Sequence, residues 1–374
     1  MPISPMDEYL AHQTPETFDY VNTSDRNFYD RYYFNVHDST GDFFMVMGMG
    51  QYPNLGVIDA FAAISYGTNQ YVVRASRALG NDRLNTQVGP FKIEVIEGLK
   101  SLRIQCEKNE WGLDFDLRFD GSVRALEEPR TFTRNGSRVR MDVSRYAQVG
   151  CYSGRFEVAG ERYEVNPASW KGARDRSWGV RPVGEREPAG IGIEDIVAGK
   201  HGFYHHWIPL QLDRGMIKVM YDADYEGKVT VEEATFVPGF SQSGETLKYG
   251  TPQFEVDYIS GTREIAGVQT TLPNANGKDL QIKSIPQRTV YLAAGSGYLP
   301  TEDWGHGYYK GPLVVEGLTF DMSTQEKRSQ YAILNETLCR FELNTGEVSY
   351  GMHENMCIGV YRPNGFDEAG TMAP

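Results

Sequence analysis

Cysteine, basic charge, long apolar runs and helical periodicity are all in short supply in this chain. Its four cysteines, Cys106, Cys151, Cys339 and Cys357, form no CxxC pair, and thiols scattered in this way are most simply small buried hydrophobes of a reducing compartment. Lys and Arg number 37 against 50 Asp and Glu, a formal charge of -13. That excess repels nucleic-acid phosphates and anionic lipid surfaces, so no nucleic-acid partner is expected. No stretch approaches the roughly 18 apolar residues of a spanning helix, and the opening MPISPMDEYLAH lacks a basic start followed by an apolar run. No membrane insertion and a cytoplasmic location are the expectation. GxGxxG, GxxxxGK[ST], GxSxG, HExxH and zinc-ligand spacings are all missing, so neither a cofactor nor a metal is implied.

What is plentiful is turn-forming and aromatic: 40 Gly, 18 Pro, 23 Tyr and 18 Phe. That composition favours strands over helix bundles. In WGLDFDLRFDG, Leu113, Phe115, Leu117 and Phe119 alternate with Asp114, Asp116, Arg118 and Asp120, the period of a strand with one face buried. FKIEVIEGLKSLRIQCEKNEWG and CRFELNTGEVSYGMHENMCIGVY read as hairpins turning at Gly98 and at Asn344 to Gly346. TQEKRSQYAILNE is the best short helical candidate, and no helices separate the β runs as a parallel sheet would require. The chain is therefore expected to be all-β, in two antiparallel domains of similar size. The Pro/Gly-dense VRPVGEREPAGIG places the boundary between residues 1–185 and 186–374.

Several stretches carry chemistry. WKGARDRSWGVRPVGE gathers Lys171, Arg174, Arg176 and Arg181 around Asp175 and Trp178, with Arg186 just beyond. The arginines offer fixed donors, Asp175 an acceptor or base and Trp178 a flat wall for an aromatic or oxygenated ligand. The plainer reading is an Arg/Asp network clamping two domains together. In KHGFYHHWIPL, adjacent His205 and His206 point to opposite faces of a strand and cannot share one ion, so a metal site is not expected. A single imidazole there, beside Tyr204 and Trp207, could still serve as acid or base. EDWGHGYYKG sets His306 between Gly305 and Gly307, flanked by Trp304, Tyr308 and Tyr309, and reads as a site loop or as an aromatic hairpin turn. Asp59 stands in an apolar run and needs either an arginine partner or a proton. Met45, Met47 and Met49 share one strand face and are by default core.

GMGQYPNLGVIDAF, WKGARDRSWGVRP and DWGHGYYKG together resemble the bacterial proteins related to carotenoid hydratases (hydroxyneurosporene synthases) and the AttH group. The resemblance implies two packed lipocalin-like β-barrel or sandwich domains with an apolar pocket near their junction. It also implies cofactor-independent chemistry: hydration of prenyl double bonds, cyclisation, or formaldehyde-releasing cleavage of lignin-derived phenylcoumarans. Asp175, Trp178 and Arg181, with Trp304 and His306, are the residues it would carry over. Guanidinium groups stabilise a phenoxide or enolate and oppose a carbocation, so a lyase acting on a bulky oxygenated aromatic is the leading expectation. A hydratase or cyclase of a prenyl or steroid-like substrate and a non-catalytic hydrophobic-ligand carrier are the alternatives. The expected roles are His306 or Asp175 as base, Arg174 or Arg181 on the oxyanion, and Tyr204 or Tyr308 as proton donor. Trp178 and Trp304 would be walls, and Asp59, His205 and Trp207 further substrate contacts. A homodimer is left open.

Overall fold

The computed structural model describes residues 3–135, 137–184, 201–275 and 277–374. Strand accounts for 56% of it and helix for 4%, as the alternating sequence predicts. The described strands form two antiparallel sheets, one of 14 strands and one of nine. The first curls into a nearly closed barrel and the second is a half-barrel. The expected boundary at residues 185 and 186 lies outside the described residues, as does Arg186.

The first sheet runs from Leu313–Asp321 through Asn69–Ala78, Val57–Tyr66, Phe44–Tyr52, Phe28–His37, Lys171–Val180, Arg138–Val158, Leu113–Gly121 and Ser101–Cys106 to Phe91–Glu97 and Gln87–Val88. One of its members, Leu313–Asp321, comes from the second half of the chain. The second sheet centres on Gly202–Leu212, which pairs with Gly215–Ala223 on one side and Val348–Gly359 on the other. Asn335–Leu343 and Leu280–Tyr291 follow. Both expected hairpins form, and Thr324 caps a single helical turn, Gln325–Ser329, within the helical candidate.

Strand alternation produces three large cores among the described residues. Met45, Met47 and Met49 fill the first barrel beside Phe115, Leu117 and Phe156. Ile208, Leu210 and Phe341 belong to a core within the second sheet. Between the sheets lies a third core containing Tyr33, Phe61, Ala147, Trp207, Met220 and Leu338. Each fully buried side chain of this size contributes about 1.5–3 kcal/mol. The four cysteines are free thiols; three are buried and Cys151 is half-buried.

Candidate functional site

The polar centre of the molecule is built on the first-sheet face that meets the second sheet. Because neighbouring strands are in register, side chains on this face form rows. One row reads Arg145, Ser177, Arg31, Gly50 and Asp59; the next reads Ala147, Asp175, Tyr33, Gly48 and Phe61. The alternation of MVMGMG thus has two meanings: the methionines fill the barrel, while the glycines leave the junction face bare. A Cβ on Gly48 would stand 2.5 Å from Arg31 Nη2, so the arginine lies across a strand that only glycine leaves low enough.

Arg31 is 2% exposed. It donates from Nη1 to the Tyr52 hydroxyl at 2.7 Å and lies 3.7 Å from Asp59 Oδ1, with its guanidinium 4.9 Å from the centre of the Tyr298 ring. Asp59 also accepts the Gly307 backbone N–H at 2.8 Å. Burial raises its carboxyl to about 6, against the pull of Arg31. Asp59 therefore has the arginine partner that its apolar surroundings demand. Gly307 supplies that N–H from a left-handed conformation at φ 77°, which glycine adopts freely. The same loop places His306 against Phe61 and Tyr298, with Nε2 3.2 Å from the Ser296 carbonyl oxygen. Burial, reinforced by Arg31 and Arg181, holds this imidazole well below its ordinary value and hence neutral.

Asp175 is the least partnered charge of the cluster. Its carboxylate has no hydrogen bond among the described residues, and burial raises it to about 6 although Arg145 and Arg181 both favour the anion. Asp175, Arg145, Arg181, Tyr298 and Glu354 are each half-buried. Several groups around them are buried without a partner among the described residues: Arg31 Nε and Nη2, Arg145 Nε, Arg181 Nε, the Tyr29 hydroxyl and Glu336 Oε2. Such orphaned donors and acceptors cost about 1–3 kcal/mol each when nothing meets them, which points to a polar occupant.

The second sheet meets this cluster with its own row, Glu336, Glu354, Trp207 and Met220. Glu128 anchors this side by accepting from Trp207 Nε1 at 2.7 Å and pairing with Lys218 at 2.9 Å and Arg145 at 3.3 Å. Burial opposes its ionisation, but Lys218 and Arg145 prevail and bring it to about 2. Burial, reinforced by Glu354 across the strands, pushes Glu336 well above the usual carboxylate range. His205 Nδ1 meets Asp222 Oδ1 at 2.5 Å and its Nε2 is 3.7 Å from Glu354. Burial disfavours the imidazolium, yet Asp222 outweighs it and raises His205 to about 9. This is an oriented, charged histidine.

Asp175, Arg181, His306, Asp59, His205 and Trp207 are thus brought together, and five of the expected residues lie elsewhere. Arg174 points into the first barrel, where Nε donates to Gln148 at 2.9 Å and Nη1 to the Tyr146 hydroxyl at 3.2 Å. Tyr204 stacks on Tyr361 at 4.0 Å in a separate small core. Trp304 is buried under the Arg74 guanidinium, 4.2 Å from its ring. Tyr308 is half-buried, and its carbonyl accepts from Ser76 at 2.9 Å. Trp178 faces outward from the barrel side, 40% exposed. Sequence reasoning missed Arg31, Arg145, Tyr298, Glu128, Glu336 and Glu354. The available signal was a charge where alternation calls for an apolar residue, as at Glu336 two positions before Leu338.

A family profile matches residues 3–367, nearly the whole chain. The chain belongs to DUF8625, a family of unknown function. No curated protein matches it in sequence. In structure this DUF8625 chain is similar to an AttH-like protein of Nitrosomonas europaea, with a TM-score of 0.52 and 14% identity over 95% of this chain and 99% of the other. It also aligns with kievitone hydratase of Nectria haematococca, at a TM-score of 0.42 and 13% identity over 87% and 88% of the two chains. The likeness to the AttH-like protein bears on the fold alone and agrees with the lipocalin-like architecture of this DUF8625 member.

Proposed function

We propose that this protein is a lyase that moves protons on a bulky oxygenated aromatic molecule held between the two sheets. The observation that carries the reading is Asp175: a carboxylate poised near pH 6, unpaired among the described residues, with the guanidiniums of Arg145 and Arg181 nearby. A base is most effective when its pKa lies near the working pH, and preorganised cations aimed at developing negative charge lower the barrier most in a dry site.

A hydroxymethyl phenylcoumaran fits this chemistry. Asp175 takes the hydroxyl proton and the oxygen pair becomes the carbonyl of departing formaldehyde. The broken carbon–carbon pair forms the new double bond, and the aryl ether bond breaks onto oxygen. Arg145 and Arg181 receive the phenoxide, and Tyr298 or the His205 imidazolium returns a proton. Tyr298 takes the donor role first assigned to Tyr204 and Tyr308. Neutral His306 positions Tyr298 rather than acting as base. The guanidiniums of Arg31, Arg145 and Arg181 and the His205 imidazolium oppose a carbocation, so prenyl hydration is disfavoured.

Incubating the purified protein, without additives, with lignin-type dimers, sterols and prenyl compounds tests this. The expected result is a mass change only with the oxygenated aromatics, lost in Asp175→Asn. Every compound returned unchanged would identify a carrier instead.

A further inference from the structure

The faces of Phe28–His37 and Lys171–Val180 turned away from the junction border a second space. A cavity of about 880 Å³ lies between the N-terminal segment, these two strands and residues 83–95. At its floor Asp30 accepts from Arg176 Nη1 and from Arg83 Nη2, the latter at 3.4 Å. Two guanidiniums share this carboxylate, and Asp19 also acts on Arg83. Arg83 is held through all three nitrogens: Nε donates to Gln51 at 3.2 Å and Nη1 to the Phe18 carbonyl at 3.3 Å, besides Nη2 to Asp30. Arg176 differs. Nη1 makes all its hydrogen bonds among the described residues, to Asp30, the Arg31 carbonyl and the Ser177 carbonyl, so Nε and Nη2 are uncommitted.

Among the described residues no other carboxylate of the lining bonds Arg176. Lys92 and Glu94 pair at 2.6 Å, His12 is held by Asp7 at 2.8 Å, and Glu16 is exposed to solvent at the rim. Thr17 Oγ1, also in the lining, is buried without a partner among the described residues. Flat apolar surface stands beside the free donors: the Arg176 guanidinium lies 4.4 Å from the Tyr32 ring, and Trp178, Met49, Ile93 and Val95 form the walls. Exposed Tyr20, Leu84, Val95 and Trp178 make the approach apolar as well.

We infer that this cavity is a binding site for a flat hydrophobic organic anion, its carboxylate or sulfonate on Arg176 and its ring between Trp178 and Tyr32. The site is separate from the junction, because Asp30, Arg176 and Trp178 alternate along their strands with Arg31, Asp175 and Ser177. It does not depend on the proposed lyase chemistry.

Two fluorescent probes of similar shape test it: anilinonaphthalene sulfonate, an anion, and N-phenylnaphthylamine, which is neutral. Arg176→Gln is expected to weaken the sulfonate about tenfold, as loss of a charge-assisted hydrogen bond does, and to leave the neutral probe within about twofold. Trp178→Ala is expected to weaken both. Asp175→Asn, whose side chain faces the other way, is expected to change neither. Trp178 is on the surface, so its variant remains informative if Arg176→Gln does not fold. Unchanged sulfonate affinity in Trp178→Ala, equal loss of both probes in Arg176→Gln, or a loss in Asp175→Asn matching that in Trp178→Ala would each overturn the assignment.

Discussion

Asp175 has arginines on both sides in sequence, yet neither is its partner in space. Strand alternation turns Arg174 and Arg176 toward the barrel and leaves Asp175 facing Arg145 and Arg181. The residue types of RDRSWG were legible as a charged cluster with an aromatic wall. Its division between two faces needed the strand assignment, and its true partners needed the register across Phe28–His37 and Arg138–Val158, which no local pattern encodes. Asp175→Asn should fold normally and lose about 10²–10⁴-fold in turnover, the usual contribution of a positioned base, measured on whichever aromatic the wild type converts. Gly48→Ala should cost about 1–3 kcal/mol, the range for overpacking, because the new methyl would lie 2.5 Å from Arg31 Nη2 and 2.6 Å from Phe61. Denaturant unfolding of the variant checks this.

At the scale of elements, local hairpins were readable because their turns and alternation are contiguous. Ser101–Cys106 paired with Phe91–Glu97 is one case and Val348–Gly359 paired with Asn335–Leu343 another. Leu313–Asp321 was not readable as a member of the first sheet, since its partner Asn69–Ala78 lies far back in the sequence. Arg74 fastens that pairing: Nε and Nη2 donate to Glu316 at 2.9 and 2.7 Å, and its guanidinium covers Trp304. Glu316 is partly exposed, so solvent screening reduces the value of the ion pair. Arg74→Met should therefore lower stability by about 1–2 kcal/mol, within the range for charged hydrogen bonds. It should also shift the Trp304 emission to the red as the indole gains water, which fluorescence-monitored unfolding would register.

The whole molecule carries a pH signature set by the junction. Glu128, held at about 2, stabilises the fold above the ordinary glutamate range, and that contribution is lost as pH falls toward 2. Asp59 and Asp175 act in the opposite sense. Both are raised to about 6, so the folded chain keeps protons that the unfolded chain has released, and their contribution declines as pH rises through 6. His205, raised to about 9, stabilises below its ordinary value and loses that contribution as pH rises through 9. The thermal midpoint should thus fall between pH 7 and 10, and fall less in His205→Gln, as calorimetry would show. The most direct test of the central claim is kcat/KM against pH for wild type and Asp175→Asn on one converted aromatic substrate. The account predicts a wild-type rate that climbs through about pH 6 to a plateau, and a variant that is slow at every pH. A variant that matches the wild type across the profile would contradict it.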